Sequence, residues 1–253
     1  DRLAPYDPNT VQIAERLQGP SGRHWFGTDE LGRDVLSRVL VAARTSVQVG
    51  LVAVGIALVA GVLLGLVAGF YGRWVDDVVM RAMDVLFAFP AVLLAIAILA
   101  VLGPGVTNAM IAIGVVYTPI FARITRAQVL SVREEVYVRA ARSLGASDLR
   151  LLAGHVLPNV LAPIIVQTSL SLAFAILSEA ALSFLGLGVQ PPDPSWGRML
   201  LEGRGFVQQA WWMGVFPGLA IFATVLSFNL VGDALRDALD PRQRSALEAR
   251  TAR

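Results

Sequence analysis

The chain of 253 residues contains no cysteine, no lysine and only two histidines, His24 and His155. Without cysteine there can be no disulfide, thiol nucleophile or thiolate metal ligand. Without lysine there can be no Schiff base and no P-loop, because that motif places a lysine against the terminal phosphates of a nucleotide. The two imidazoles lie far apart in the sequence, and no ligand cluster accompanies His155. We therefore expect neither a catalytic centre nor a metal site in this chain.

Charged residues are scarce, at 16% of the chain, whereas a soluble domain carries about 25%. Hydrophobic residues make up 55%, so the composition predicts a membrane protein. All 21 basic residues are arginine, and the formal net charge is only +2. Such a small excess gives no indication of a nucleic-acid partner.

Five apolar stretches are long enough to cross the hydrocarbon core of a bilayer, which takes about 20 residues. The first carries Gly61, Gly65 and Gly69 four residues apart, a stripe that permits close contact between helices. Pro90 breaks the second stretch, and Pro119 lies within the third. The predicted spans are residues 47–70, 85–102, 106–125, 160–184 and 212–231.

The polar segment at residues 1–46 has apolar positions at helical spacing between its arginines, which predicts an amphipathic helix at the membrane surface. On one side of the five spans lie 13 of the 21 arginines. Positive-inside bias therefore places the loop at 127–159 and the tail at 236–253 in the cytoplasm. The membrane domain is then 47–235, and segment 1–46 lies outside. An outer start requires an earlier span, so we expect a sixth, first span upstream.

The cytoplasmic segment at 136–159 is polar, rich in arginine and helical in composition. The small residues Ala140 and Ala141 let another surface approach closely, and Gly145 can take a helix-ending conformation. Pro158 is well tolerated in a first helical turn, so we expect the membrane helix to restart there. The pattern predicts a helix, a break and a second short helix, which together offer a partner a surface to push on.

This spacing resembles the EAA loop of ABC-importer permeases, with Arg139 where that family usually has glutamate and His155 where isoleucine is usual. Two other stretches, FGTDELGRD at 26–34 and AALSFLGLG at 180–188, resemble the dipeptide, oligopeptide and nickel permease family. The likeness is to the second permease subunit of these importers.

The resemblance implies an all-α membrane protein with the transmembrane fold of a type I ABC importer. It implies a bacterial or archaeal cytoplasmic membrane and import of di- or oligopeptides, with nickel complexes or glutathione as alternatives. The implied partners are a second homologous permease in a heterodimer, two cytoplasmic ATPases that hold ATP and Mg²⁺, an extracytoplasmic binding protein and membrane lipid. No cofactor is expected in this chain. The residues expected to couple it to an ATPase are Arg139, Ala140, Ala141, Gly145, Ala146, His155, Leu157 and Pro158.

Glu179 is an ionisable residue within the fourth span, where such groups are functional hypotheses by default. Gating or contact with substrate is one interpretation, and structural support of the helix is the other. Ser178 and Gln167 are further gating or pathway candidates. The candidates for docking the binding protein are Asp29, Arg33, Asp34, Pro192 and Trp196, although the proline-rich loop around the last two can equally cap helix ends.

Two other classes of function stay open. A secondary transporter driven by an ion gradient needs a relay of intramembrane ionisable groups, and Glu179 alone gives that thin support. A membrane scaffold that transports nothing is the third class. Uptake into vesicles that stops when a partner ATPase is inactivated separates the importer from the ion-driven carrier, and co-purification without any ATPase indicates the scaffold.

Replacing Gly145 by valine tests the predicted break. A β-branched side chain resists the left-handed backbone conformation that glycine adopts at the end of a helix. We expect uptake by the Gly145→Val variant to fall in a vesicle assay, while its insertion into the membrane persists. Normal ATP-dependent uptake by this variant would contradict a coupling role for the loop.

Overall fold

The regular structure is helical throughout residues 4–239, the part of the chain that the computed structural model describes. The predicted all-α fold is therefore confirmed for these residues, whereas most of the predicted tail, 240–253, lies outside them. The helices are α1 (Val35–Tyr71), α2 (Arg73–Phe87), α3 (Ala91–Leu102), α4 (Val106–Val132), α5 (Val136–Ser143), α6 (Asp148–Leu151), α7 (Leu157–Phe184), α8 (Trp196–Gly203) and α9 (Trp212–Leu239).

Four helical stretches among residues 4–239 are long and apolar enough to cross a membrane. They are α1, α4, the continuous stretch Asp148–Phe184 and α9. A fifth candidate is the pair α2 and α3, whose axes are bent by 93° at a short break. The predicted five spans match the structure if this bent pair counts as one.

The predicted break of the second span, 85–102, at Pro90 is confirmed. Helix α2 ends at Phe87, and α3 begins only at Ala91, directly after Pro90. Proline has no backbone N–H and holds the preceding residue out of helical geometry, so the chain turns there. The 12 residues of α3 extend about 18 Å, which is too short to cross the core alone.

Helix α1 is one helix of 37 residues, whereas the sequence predicted a surface helix separate from the first span. It begins after Asp34, whose Oδ2 accepts a hydrogen bond of 2.8 Å from the backbone N–H of Ser37 and so caps the helix. Arg38 is only 1% exposed. The periodicity near residue 38 reflects packing against protein, and the predicted boundary at residue 46 falls inside α1.

Two other spans run further than predicted. Helix α4 continues from the expected end near residue 125 to Val132, and α9 continues from the expected end near residue 231 to Leu239. The extra turns of α4 carry Arg126, which forms a bidentate ion pair with Asp76 of α2. Charged residues end an apolar pattern, but they do not end a helix when partners are within reach.

The described chain divides into two compact units. The first consists of the residues through Val54, Pro90–Gly114 and Leu172–Leu226; the second consists of Gly55–Phe89, Val115–Ser171 and the described residues from Ser227. Within the first unit, α8 packs directly on α7, because a Cβ on Gly197 would lie only 2.3 Å from the carbonyl oxygen of Ala180.

Within the second unit, the glycine stripe of α1 packs on α4, as predicted. A Cβ on Gly65 would lie 2.5 Å from the carbonyl oxygen of Ala122, and one on Gly69 would lie 2.8 Å from Cβ of Val129. Gly61 is equally crowded, with backbone of α4 at 2.7 Å. Only glycine allows the two backbones to come this close.

The substitution Gly65→Ala should therefore destabilise the protein. Its methyl group would meet a backbone oxygen of α4 at 2.5 Å, and overpacking of this kind typically costs about 1–3 kcal/mol. Thermal unfolding of the purified protein in nanodiscs measures the loss. The matched control is Gly55→Ala on the same helix, where no atom lies within 4 Å of the added Cβ. Equal losses for the two variants would contradict a tight α1–α4 contact.

Candidate functional site

The loop between α4 and α7, residues 133–156, contains the predicted helix, break and second helix. Helix α5 ends at Ser143, and Gly145 follows with φ of +83°. The N–H of Gly145 donates to Arg142 O at 3.0 Å, and that of Ala146 donates to Ala141 O at 3.1 Å. This pair of bonds is a Schellman cap, in which a glycine in the left-handed region ends the helix. The predicted role of Gly145 as a helix-ending residue is confirmed.

The expected restart of the chain at Pro158 is wrong. From Asp148 the backbone stays helical through α6, a π-helical turn at Leu152–Val156 and α7. In the π turn, the N–H of Leu157 reaches back five residues to Leu152 O. Pro158 has no N–H to donate, so a bulge just before it accommodates the proline without a break. The side chain of Asn159 then satisfies His155 O at 2.7 Å.

All eight predicted coupling residues lie in this loop or in the first turn of α7, and none is buried. Four are exposed, namely Arg139, Ala140, Gly145 and Pro158. The other four, Ala141, Ala146, His155 and Leu157, are half-buried. The His155 ring lies edge-on to Tyr137, with 6.5 Å between centroids. These residues thus share one accessible region, and their contact with an ATPase stays a prediction.

The loop exposes large apolar side chains that were not predicted from the sequence. Leu144 is 89% exposed, Leu149 is 76% exposed and Val136 is 72% exposed. The opposite side of the loop is held down by side chains that are 0% exposed, Val138, Leu151 and Val156. The available signal was the pair of leucines on either side of Gly145 in an otherwise polar segment. A loop that is packed on one side and exposes leucines on the other is suited to bind a protein partner.

Glu179 in α7 is completely buried, at 0% exposed. Its Oε1 accepts a hydrogen bond of 2.7 Å from Ser183, and the hydroxyl groups of Ser46 and Ser195 also interact with this carboxyl group. Its Oε2 has no hydrogen-bond partner among residues 4–239. Ser183 in turn accepts from the N–H of Val189 at 3.0 Å. These contacts support the structural interpretation, since Glu179 ties α7 to α1 and to the segment before α8.

The two other pathway candidates are half-buried residues of α7. The amide of Gln167 donates to Ser171 Oγ at 3.1 Å, one turn along the same helix. Ser178 also makes an interaction of its own. Gln167 belongs to the second unit, whereas Ser178 belongs to the first. A pathway role for either residue stays a prediction.

A buried cluster of charges lies in the first unit, where residues 29–38 meet α8. Arg33 contacts Asp29 Oδ2 at 2.6 Å and Glu202 Oε2 at 3.1 Å. Arg38 donates to the same Glu202 oxygen at 3.1 Å and to the backbone oxygen of Pro8 at 3.1 Å. Buried charges must be paired in this way, because an unpaired one is strongly destabilising. The cluster fixes the leading segment on α1 and α8.

Four of the five predicted docking residues are buried, which argues against their contact with a binding protein. Asp29, Arg33 and Asp34 are each at most 6% exposed, and Trp196 is 3% exposed with its indole N–H bonded to Val39 O at 3.1 Å. Side chains so occupied cannot contact a docked protein. Pro192 alone of the five candidates is exposed. The charges that suggested recognition instead hold the segment together.

The same cluster brings together three carboxylates at a spacing that could hold a metal ion. Oxygens of Asp29, Glu30 and Glu202 lie within 4.8 Å of one another. The guanidinium groups of Arg33 and Arg38 already occupy this negative environment, which makes a cation site unfavourable. Burial raises the pKa of the Glu30 carboxyl, and the neighbouring Asp29 raises it further. The donor set therefore fits an internal ion-pair network.

Comparison with known proteins gives consistent results. Residues 61–245 match the family described as "Binding-protein-dependent transport system inner membrane component". The dipeptide transport system permease protein DppC of Alkalihalophilus pseudofirmus is 54% identical over 232 residues, which cover 92% of this chain and 76% of that protein. The glutathione transport system permease protein GsiD of Escherichia coli is 51% identical over 241 residues, covering 95% and 80%.

A solved chain of the MetNI methionine ABC transporter, in an inward-facing conformation, shares the fold. The TM-score is 0.66 at 15% sequence identity, and the match covers 81% of this chain and 97% of the solved one. At this identity the likeness concerns the fold alone. The predicted fold class, the transmembrane domain of a type I ABC importer, is confirmed.

The substitution Glu202→Gln tests the buried cluster. Removing this charge leaves Arg33 and Arg38 buried without the negative partner that they share, which we expect to cost about 3 kcal/mol or more. Thermal unfolding of the purified protein measures the effect. The matched control is Arg23→Gln in the same segment, since the Arg23–Glu15 pair is 2.7 Å long but Arg23 is 69% exposed. Exposed pairs contribute about 0–1 kcal/mol, so a control loss as large as that of Glu202→Gln would contradict the cluster's importance.

Proposed function

This chain belongs to the family of inner membrane components of binding-protein-dependent transport systems, and on that basis we propose that it is the permease subunit of an ATP-driven peptide importer. Members of this family are membrane components and not catalysts. The chain forms half of the translocation pathway and is moved by ATP hydrolysis in other subunits. Its own contribution is a set of helices and a loop through which those subunits act.

The observation that carries the coupling role is the exposed apolar side of the α4–α7 loop. Leu144 and Leu149 are 89% and 76% exposed, although they flank a backbone that a Schellman cap holds in one conformation. Burying two such leucines on a partner is favourable by the hydrophobic effect. A preformed loop also loses little conformational entropy on binding. This combination suits the groove of an ATPase subunit.

The assembly follows from the family. A second homologous permease completes the pathway as a heterodimer, two cytoplasmic ATPases bind ATP and Mg²⁺, and an extracytoplasmic binding protein delivers the substrate. Closure of the ATPases on ATP moves the α4–α7 loop, and the helices rock between outward-facing and inward-facing states. Hydrolysis then resets the assembly. No cofactor is assigned to this chain.

Small peptides are the substrate class that the similar permeases favour. The two relatives named above carry dipeptide and glutathione in their names, and glutathione is itself a small peptide. Both substrates need a pathway with room for a zwitterionic chain and few fixed contacts. Dipeptide transport is the first candidate and glutathione transport the second.

Uptake into proteoliposomes tests this function. The full assembly is reconstituted with its binding protein, and ATP-dependent uptake of a labelled dipeptide is measured with and without excess unlabelled glutathione. We expect Leu144→Asp to lower both co-purification of the ATPase and uptake by about tenfold or more, because an apolar side chain that would be buried on binding the ATPase becomes charged. The matched control is Val207→Asp, which is 60% exposed but outside the loop. Uptake that persists without ATPase activity, or an unaffected Leu144→Asp variant, would contradict the proposal.

A further inference from the structure

The cytoplasmic end of α1 is held by an arginine that directly follows α4. Nη1 of Arg133 donates a hydrogen bond of 2.7 Å to the backbone oxygen of Gly69. Gly69 lies in the last turn of α1, where carbonyl groups lack helical N–H partners. A bond from a charged donor to such a carbonyl is among the stronger kinds, and it also complements the helix dipole. Arg133 therefore fastens the start of the α4–α7 loop to the end of α1.

A second arginine, from the other side of the turn at 134–135, reaches the same helix end. The guanidinium carbon of Arg142, in α5, lies 5.2 Å from the centroid of the Phe70 ring. This distance is within the range of a cation–π interaction. Phe70 is 7% exposed, so its ring is held within the unit, whereas Arg142 comes from the exposed loop. The adjacent residues Gly69 and Phe70 of α1 thus each contact one arginine, Arg133 before the turn at 134–135 and Arg142 after it.

The end of α1 is itself tied to other parts of the second unit. The glycine stripe keeps Gly69 against Val129 of α4. Beyond Tyr71 the chain turns at Gly72, with φ of +65°, into α2, where Asp76 is bound by Arg126 of α4. A displacement of the end of α1 is therefore shared with α4 and α2.

We propose that Arg133 and Arg142 are positioning residues that clamp the coupling loop to the end of α1 at Gly69 and Phe70, so that motion of the loop is passed to the membrane helices. This inference rests on the proposed function, because it assumes that an ATPase moves the loop. It assigns the two arginines a role in transmission and not in binding the ATPase. Binding is left to the exposed leucines.

The clamp predicts a loss of coupling without a loss of assembly. Variants Arg142→Gln and Phe70→Leu each remove the cation–π contact, and we expect each to lower the substrate transported per ATP hydrolysed by about fivefold or more. The double variant should be no worse than either single one, because both remove the same contact. Phe70 is the decisive position, since a ring that is 7% exposed cannot bind the ATPase directly.

Substitutions of Arg133 test the proposed clamp independently of the cation–π contact. Arg133→Met removes the donor to Gly69 and should lower the same ratio, whereas Arg133→Lys keeps a cationic donor and should restore most of it. All variants are reconstituted as full assemblies, and co-purification of the ATPase is measured beside transport and hydrolysis. A role limited to folding would lower transport and hydrolysis together and leave their ratio unchanged.

The outcomes separate the clamp from the proposed function. The clamp is overturned if the effects of Arg142→Gln and Phe70→Leu add, if the transport-to-hydrolysis ratio is normal in these variants and in Arg133→Met, or if Arg142→Gln releases the ATPase. The proposed function fails on a different result, namely ATPase binding that is unaffected by Leu144→Asp. Retained ATPase binding with a lowered ratio in the arginine and Phe70 variants supports the clamp.

Discussion

The close contact between α1 and α4 determines the geometry of the second unit. Lipid tails are as apolar as the side chains, so the hydrophobic effect gives two helices in a bilayer little reason to associate. Van der Waals contact between backbones has to supply the attraction, and it acts only at short range. Gly61, Gly65 and Gly69 have no side chains, so they allow the two backbones to come within this short distance. Their spacing also brings the ends of the two helices together, which is why Arg133 can reach Gly69.

The two units use charge in opposite ways. In the first, Asp29, Arg33, Arg38 and Glu202 are withdrawn from solvent and satisfy one another. Such a network gives little net stability compared with apolar packing, but it fixes a particular arrangement, because losing one member leaves the others unpaired. In the second unit, arginines hold the base of a loop whose apex is apolar and exposed. The buried network of the first unit fixes the fold there, whereas the arginines of the second unit hold a loop that exposes an apolar surface.

Much of this architecture could be predicted from the sequence, since it follows from local rules. The number of spans (if the bent pair α2–α3 counts as one), the glycine stripe and the cap at Gly145 match the structure, whereas the predicted bounds of several spans do not. What the sequence could not supply is which charges meet. Arg33 looks like a surface residue in a polar segment, yet its partner Glu202 is 169 positions away in the sequence.

Helix ends were a second source of error, for a related reason. Pro90 breaks a helix, yet Pro158 does not, because a π turn in front of it absorbs the missing donor. A proline fixes its own torsion angle and removes one bond; whether the helix continues depends on neighbours that are set by the tertiary fold. The exposure of Leu144 likewise depends on the tertiary fold, because the sequence shows an apolar residue in a polar segment but not which side of the loop is packed.

The π turn at Leu152–Val156 has a consequence for the length of the chain at that point. A π turn accommodates one residue more than the α-helical turn it replaces, so it is equivalent to a single inserted residue. Deleting one residue there would restore regular α-helix and rotate α6 about its axis by about 100° relative to α7. Leu149 would then face a different direction. The orientation of the loop thus depends on a single residue in the π turn. Homologous chains that differ by one insertion or deletion here would present a different side of the loop to a binding partner.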